Sequence, residues 1–132
     1  MALKKGIYAA SMSIFNQDLS LDIESTIRHS ERLIKEGLHG TIFFGSTGCA
    51  QLISSKEKKK LIDHLKDNKY KNHFMIGTGA NSLKENIDLL SHALKNGIDR
   101  FLLIACILEI NIDKSPIPMD FITTSTLLIF SI

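Results

Sequence analysis

The sequence predicts a parallel α/β fold. Short apolar runs that suit strands alternate with amphipathic, capped runs that suit helices, in the order strand, helix, strand, helix, strand, helix, strand. Strand starts at positions 6, 41, 74 and 101 recur about every 30 residues, the length of one βα unit. Two of the helices close on a glycine four residues before the next strand, Gly37 before Thr41 and Gly97 before Phe101. By pattern alone, an open doubly wound sheet and a (β/α)8 barrel both satisfy this order.

Gly6–Ser11 is the first predicted strand, followed by a polar loop through Asn16–Asp18. Asp22 can cap a helix whose apolar positions Ile23, Ile27, Leu33 and Ile34 lie near one face. Thr41–Phe44, β-branched and aromatic, is the second strand and opens directly into Gly45-Ser46-Thr47-Gly48. Ser54 with Glu57 forms a capping box for a helix carrying Leu61, Ile62 and Leu65. Phe74–Ile76 is the third strand, and Gly77-Thr78-Gly79 follows it. A second box, Ser82 with Glu85, starts a helix with Ile87, Leu90 and Leu94, and Phe101–Ile104 is the fourth strand.

After Ile104 the regularity stops. Residues 105–132 hold four charges (Glu109, Asp113, Lys114, Asp120), both prolines and seven isoleucines. They lack a capping box and a closing glycine, and Pro116 and Pro118 would break a helix. On pattern this tail reads as an irregular strand and loop. The other 104 residues carry a net charge of +4, against −2 in the tail.

The whole-chain balance of 16 basic and 14 acidic residues argues against nucleic acid or an anionic membrane as a partner. Lys4–Lys5 followed by Ile7 to Phe15 faintly resembles a secretory signal, but Ser11 and Ser13 interrupt the apolar run. The apolar Leu127–Ile132 run is far shorter than the roughly 20 residues a bilayer span needs. Cys49 and Cys106 form neither a disulfide framework nor a metal spacing, which suits a cytoplasmic protein.

Two segments carry candidate chemistry. In Gly45-Ser46-Thr47-Gly48, the glycines permit tight turns while Ser46 and Thr47 present hydroxyls beside backbone N–H groups, a setting for a carboxylate or phosphate. Gly77-Thr78-Gly79-Ala80-Asn81-Ser82 occupies the equivalent place on the next strand, and the two turns suggest one shared site at the carboxyl ends of the strands. The third glycine of a dinucleotide loop is absent. Other features read as structural. His29, His39, His64, His73 and His92 show no metal-ligand spacing, Lys56, Lys58, Lys59 and Lys60 read as a solvated helix face, and Cys49 has no histidine partner in evidence.

Taken in order, these residues resemble the dihydrodipicolinate synthase / N-acetylneuraminate lyase family of (β/α)8 barrels. The resemblance runs from Gly6-Ile7-Tyr8-Ala9-Ala10 through Leu33-Ile34-x-x-Gly37-x-x-Gly40 to the Gly45-Ser46-Thr47-Gly48 signature. It continues through Leu52-x-Ser54-x-x-Glu57, Gly77-Thr78-Gly79-Ala80-Asn81-Ser82 and Ala93-x-x-x-Gly97-x-Asp99. It covers residues 6–104, roughly the first third of a family member. The fold it implies is the N-terminal half of a (β/α)8 TIM barrel, truncated after the fourth strand. Residues 1–104 would supply four strands and three helices, and 105–132 an aberrant tail.

Members of that family are class I aldolases or lyases, such as 4-hydroxy-tetrahydrodipicolinate synthase, that hold pyruvate or a 2-oxo acid as a Schiff base on lysine. The imine withdraws electrons and stabilises an adjacent carbanion. By resemblance, Thr47 and the N–H groups of Thr47 and Gly48 would hold the substrate carboxylate, and Ser46 would relay a proton to a tyrosine. No cofactor or metal is implied. The family has Thr-Pro-Phe where this chain has Ser13-Ile14-Phe15, and glutamate where it has Cys49. Its Pro-Pro-x-Tyr segment after the fourth strand is replaced by Ala105-Cys106-Ile107-Leu108, which removes the relay tyrosine. The Schiff-base lysine belongs to a sixth strand, and no lysine here, including Lys95 and Lys114, matches it.

The chain alone is therefore expected to be inactive. Two alternatives stand beside that expectation: a half-barrel subunit completed by a separate C-terminal half, and a non-catalytic module that binds small carboxylates. Family members are homo-oligomers. Four strands cannot close an eight-stranded barrel, so an exposed strand edge and the apolar inner faces of the helices should make the chain unstable or associating unless the tail or a partner covers them. A slipped reading frame would account for the tail. Combining the third base of each codon with the first two of the next, Met119-Asp120 becomes glycine, and Cys106-Ile107 becomes tyrosine or histidine. Asp113 must then be encoded by GAC to avoid a stop, which the coding DNA tests.

Overall fold

The computed structural model describes residues 5–80, 82–103, 120–124 and 127–131. Its strands are β1 (Tyr8–Ala10), β2 (Gly40–Phe43), β3 (Phe74–Gly77), β4 (Arg100–Leu103), β5 (Asp120–Thr124) and β6 (Leu127–Ser131). Its helices are α1 (Ile23–Lys35), α2 (Ser55–Leu65) and α3 (Leu83–Lys95). β1 to β4 are adjacent and parallel, with Ala9 opposite Thr41, Ile42 opposite Met75 and Gly77 opposite Leu102. This is the predicted βα array, with strand ends shifted by a residue or two. Ile104, expected as the end of the fourth strand, lies outside the described residues.

The pleat separates two apolar layers. Phe43, Phe74, Ile76 and Phe101 face the helices and pack with Ile27, Leu61, Ile62, Leu65, Leu89 and Ala93. Ile42, Met75 and Leu102, with Tyr8 against them, form a second cluster on the other face. Strands apolar on both sides are those of a parallel sheet covered on both faces.

Helix starts follow the predicted chemistry. The Asp22 carboxylate accepts the Ser25 N–H at 2.9 Å, a bond that holds its pKa below the ordinary aspartate value. On α2 the box closes reciprocally: Ser54 Oγ accepts the Glu57 N–H, and the Glu57 carboxylate accepts the Ser54 N–H at 3.1 Å. On α3 the Ser82 hydroxyl accepts the Glu85 N–H at 3.4 Å.

Glu57 also reaches outside its helix, accepting the Leu21 N–H at 2.9 Å and so tying the loop before α1 to α2. The Ser54 hydroxyl first, and then the Leu21 amide, lower its pKa below the usual glutamate value. A depressed carboxyl contributes stability above its unfolded pKa and loses it as pH falls through the folded one. Glu57→Gln should therefore cost about 1 kcal/mol at neutral pH, with the gap to the parent narrowing below about pH 4. Urea melts of both proteins across that range check this, and a gap independent of pH would refute it.

The expected face of α3 is met in part, with Leu90 and Leu94 partly buried against the core. Leu61, Ile62 and Leu65 of α2 are wholly buried as predicted. On α3 the buried residues are Asn86, Leu89 and Ala93, while Ile87 is 53% exposed. At 100° per residue, Leu83, Ile87, Leu90 and Leu94 fall within an arc of about 60°. That arc points away from α2, which α3 meets through Asp88 on Lys59 and His92 on Asp63.

The tail, expected as an irregular strand and loop, supplies two regular strands among its described residues. β5 and β6 form an antiparallel hairpin, and β6 runs antiparallel along β4 with Phe101 opposite Phe130. Its β-branched and aromatic residues, Phe121 to Thr124 with Ile129 and Phe130, are good strand formers. The tail thus covers the edge of β4, the condition under which that edge was not expected to be bare. On the second face, Ile42, Met75 and Leu102 are all buried.

Candidate functional site

The carboxyl ends of β2 and β3 hold both predicted turns. The second strand was expected to run through Phe44, but it ends at Phe43, and Phe44 takes a left-handed backbone, φ +60, with its ring fully buried. This reversal throws Gly45–Gly48 out over the strand end. Cys49, also left-handed at φ +51, turns the chain into the short 3-10 segment Ala50–Leu52 that leads to α2.

The loop is held from its own ends and from the segment after β1. Cys49 N–H donates to the Ser46 carbonyl at 3.1 Å and Ala50 N–H to the Gly45 carbonyl at 3.4 Å. Ser13 Oγ donates to the Gly48 carbonyl at 2.6 Å. Gly48 is buried, and a Cβ there would stand 2.9 Å from the Ser11 carbonyl oxygen, so no larger residue fits. Ser13 escaped the sequence reading as a site residue, because an isolated serine in a loop carries no spacing signal.

Ser46 and Thr47 are exposed at the top of this loop. Among the described residues, neither hydroxyl meets a hydrogen-bond partner, and the amides of Ser46, Thr47 and Gly48 donate to no backbone carbonyl. Exposed hydroxyls beside backbone N–H groups that donate to no carbonyl are chemistry suited to an anion. The Gly77–Gly79 turn lies against the same loop: a Cβ on Gly79 would meet Ala50 Cβ. It adds packing rather than ligands. Thr78 is fully buried, and its Oγ1 has no partner among the described residues. Asn81 lies outside the described residues.

The lysine cluster needs correction at one position. Lys56 and Lys60 are exposed, but Lys58 is only 3% exposed and donates from Nζ to the Thr78 carbonyl at 3.2 Å. Its Nζ lies 5.8 Å from the centre of the Phe44 ring. Burial pushes its pKa below the usual lysine value, opposed by the negative charge of Glu85. The signal was available in the sequence: Lys58, Leu61, Ile62 and Leu65 share the i, i+3, i+4, i+7 stripe that α2 buries.

The remaining candidates stand elsewhere. The two tyrosines of the chain lie at the amino ends of the strands, Tyr8 opposite Gly40 and Tyr70 before β3. Ser46, at the carboxyl ends, therefore has neither within its reach for a relay. His39 accepts the Ile7 N–H, His73 bonds the His39 carbonyl, and His92 pairs with Asp63, all structural roles. No metal-binding group of three occurs among the described residues. No helix among them is long and apolar enough to cross a membrane. Cys106 and the Ala105–Leu108 segment lie outside the described residues.

Comparison with known proteins agrees with this geometry. The chain is 37% identical over 101 residues to the 4-hydroxy-tetrahydrodipicolinate synthase of Pelagibacter ubique, covering 76% of this chain and 34% of that protein. It superposes on dihydrodipicolinate synthase from Agrobacterium tumefaciens with a TM-score of 0.69 at 26% identity, covering 76% of this chain and 35% of the other. The TM-score is also 0.69, at 30% identity, with YagE from Escherichia coli, a prophage protein of the dihydrodipicolinic acid synthase family solved with pyruvate. Here the coverage is 83% and 39%. The chain thus spans about a third of the length of the curated relatives it matches, consistent with the N-terminal half of a TIM barrel. The profile of the dihydrodipicolinate synthetase family matches residues 3–107, and the chain belongs to that family.

Proposed function

We propose that this chain is a partial Schiff-base lyase that keeps the family's 2-oxo-acid carboxylate site and lacks its catalyst. The observation that carries this is the loop Ser46–Gly48, with exposed hydroxyls and undirected amides at the carboxyl ends of the strands. Thr47 Oγ1 and the N–H groups of Thr47 and Gly48 would hold the carboxylate of pyruvate or a similar acid. The pyruvate in the YagE structure supports that class of ligand. Residues 1–104 form the partial barrel, 105–132 are an aberrant tail, and the protein works in the cytoplasm. Turnover by this chain alone is not expected, since Ser46 has no tyrosine to relay to and no lysine matches the sixth-strand position.

Pyruvate binding, followed by saturation-transfer NMR, tests the site. Thr47→Val removes one hydrogen bond to a charged group, a loss of about 1.5 kcal/mol or more, which weakens binding about tenfold. Because Thr47 is exposed, the melting temperature should not move. Equal binding by parent and variant would remove the site from this loop.

One observation favours a second reading, in which a separate C-terminal half completes the enzyme. The α3 flank bearing Leu83 and Ile87 faces away from α2, and both residues are about half exposed. A following βα unit of a barrel would bury that flank. Lyase activity that appears only when the family's C-terminal half is co-expressed would establish this reading, with the β5–β6 hairpin displaced from β4.

A further inference from the structure

His39 stands at the amino ends of the strands, opposite the Ser46–Gly48 loop, and closes the first rung between β1 and β2. Its backbone N–H donates to the Ile7 carbonyl at 2.9 Å, and its ring nitrogen Nδ1 accepts the Ile7 N–H at 3.2 Å. The imidazole packs on Gly6, where an added Cβ would overlap the ring, and its centre lies 6.5 Å from that of the Tyr8 ring. β1 is an edge strand of the sheet and only three residues long. Its start therefore depends on few bonds, and one of them is made by a titratable ring.

An imidazole nitrogen that accepts a hydrogen bond carries no proton, so this bond requires the neutral ring with its proton on Nε2. Adding a proton turns Nδ1 into a donor facing another donor. Imidazoles ordinarily make this change between about pH 5 and 8. His73 differs. Its Nδ1 donates to the His39 carbonyl at 2.9 Å, and a second proton on that ring leaves the bond intact. The other ionisable groups on the adjoining segments are Lys5 before Gly6, the Tyr8 phenol, Lys71 before β3, and Lys35 and Glu36 at the end of α1. Glu36 is paired with Arg32 at 3.5 Å.

We propose that His39 is a pH-operated latch on the start of β1. With the ring neutral, both backbone groups of Ile7 are held and the segment before Tyr8 is fastened to the sheet edge. With the ring protonated, the Ile7 N–H loses its acceptor and that segment frays, while Tyr8–Ala10 stay paired with Gly40–Ile42. The latch is thus closed above the imidazole titration and opens as pH falls through it. It does not depend on the carboxylate reading of the Ser46–Gly48 loop.

NMR of the full chain tests this. At pH 8 the neutral His39 ring should carry its proton on Nε2, as read from long-range 15N–1H spectra. Between pH 8 and pH 5, protection of the Ile7 amide against hydrogen exchange, taken relative to the intrinsic rate at each pH, should fall about fivefold. The Ser11 amide, bonded to the Ile42 carbonyl at 2.9 Å beyond the other end of the strand, should keep its protection. In His39→Asn the side-chain oxygen can accept the same bond at every pH, so Ile7 protection should no longer vary. A neutral ring protonated on Nδ1 overturns the proposal, as does Ile7 protection that ignores pH in the parent. Equal losses at Ile7 and Ser11 would mean that the whole strand opens, and an unchanged pH response in His39→Asn would assign the switch to another group. Either result also overturns it.

Discussion

Phe43→Ala is expected to abolish cooperative folding of the chain. Phe43 is 1% exposed on β2, which lies between β1 and β3, so its ring sits under the helices at the middle of the parallel sheet. It meets Phe74 edge-on at 5.2 Å between ring centres and Phe44 at 6.2 Å. Truncating such a ring costs about 3–5 kcal/mol, because the transfer energy of the removed atoms is joined by a cavity the neighbours cannot fill. Small domains hold only about 5–15 kcal/mol in total, and this one spans a third of its relatives' length. Urea denaturation followed by circular dichroism should lose its sigmoidal transition. A variant that retains the parent midpoint would mean that the aromatic layer is not the core.

The same aromatic layer explains what the sequence made legible. Order, spacing and caps depend on local chemistry, so Asp22, Ser54 with Glu57, and the strands around Thr41, Phe74 and Phe101 could all be read. The βα order left the open sheet and the barrel undivided, and only the linear series of family-like segments favoured the barrel. What stayed hidden depends on where a residue ends up. Ile87 reads as core by period, yet it lies on a flank of α3 that no described helix covers. Lys58 reads as solvated by charge, yet its place on the α2 stripe carries it inward. The tail of β5 and β6 was read as an irregular strand and loop because it lacks a capping box and a closing glycine and holds Pro116 and Pro118, both outside the described residues. In the candidate site, Ser46, Thr47 and Gly48 were singled out by their turn chemistry, whereas Ser13 holds the loop from a distant segment through one hydrogen bond.

Two glycines close to one another in the same region should respond oppositely to alanine. At Gly77 a Cβ would stand 2.5 Å from the Phe44 carbonyl oxygen, 2.8 Å from its carbon and 2.9 Å from the Phe43 oxygen. All three are backbone atoms at the point where β2 reverses, so no side-chain rotation can relieve the overlap. Either β2 and β3 separate at Gly77 or Phe44 leaves its left-handed turn and withdraws its buried ring. Both outcomes break packing in the core, and Gly77→Ala should cost about 3 kcal/mol, lowering the melting temperature by on the order of 10 °C. The Ser46–Gly48 loop hangs from the same reversal, so pyruvate binding should weaken with it. At Gly45 nothing lies within 4 Å of the added Cβ, and the backbone is not among those with positive φ. Gly45→Ala should leave stability unchanged or raise it by less than about 1 kcal/mol, through a less flexible unfolded chain. Melting curves of the two variants decide the matter. Similar losses at both positions would mean that the left-handed turn at Phe44, and with it the placement of the candidate site, is wrong.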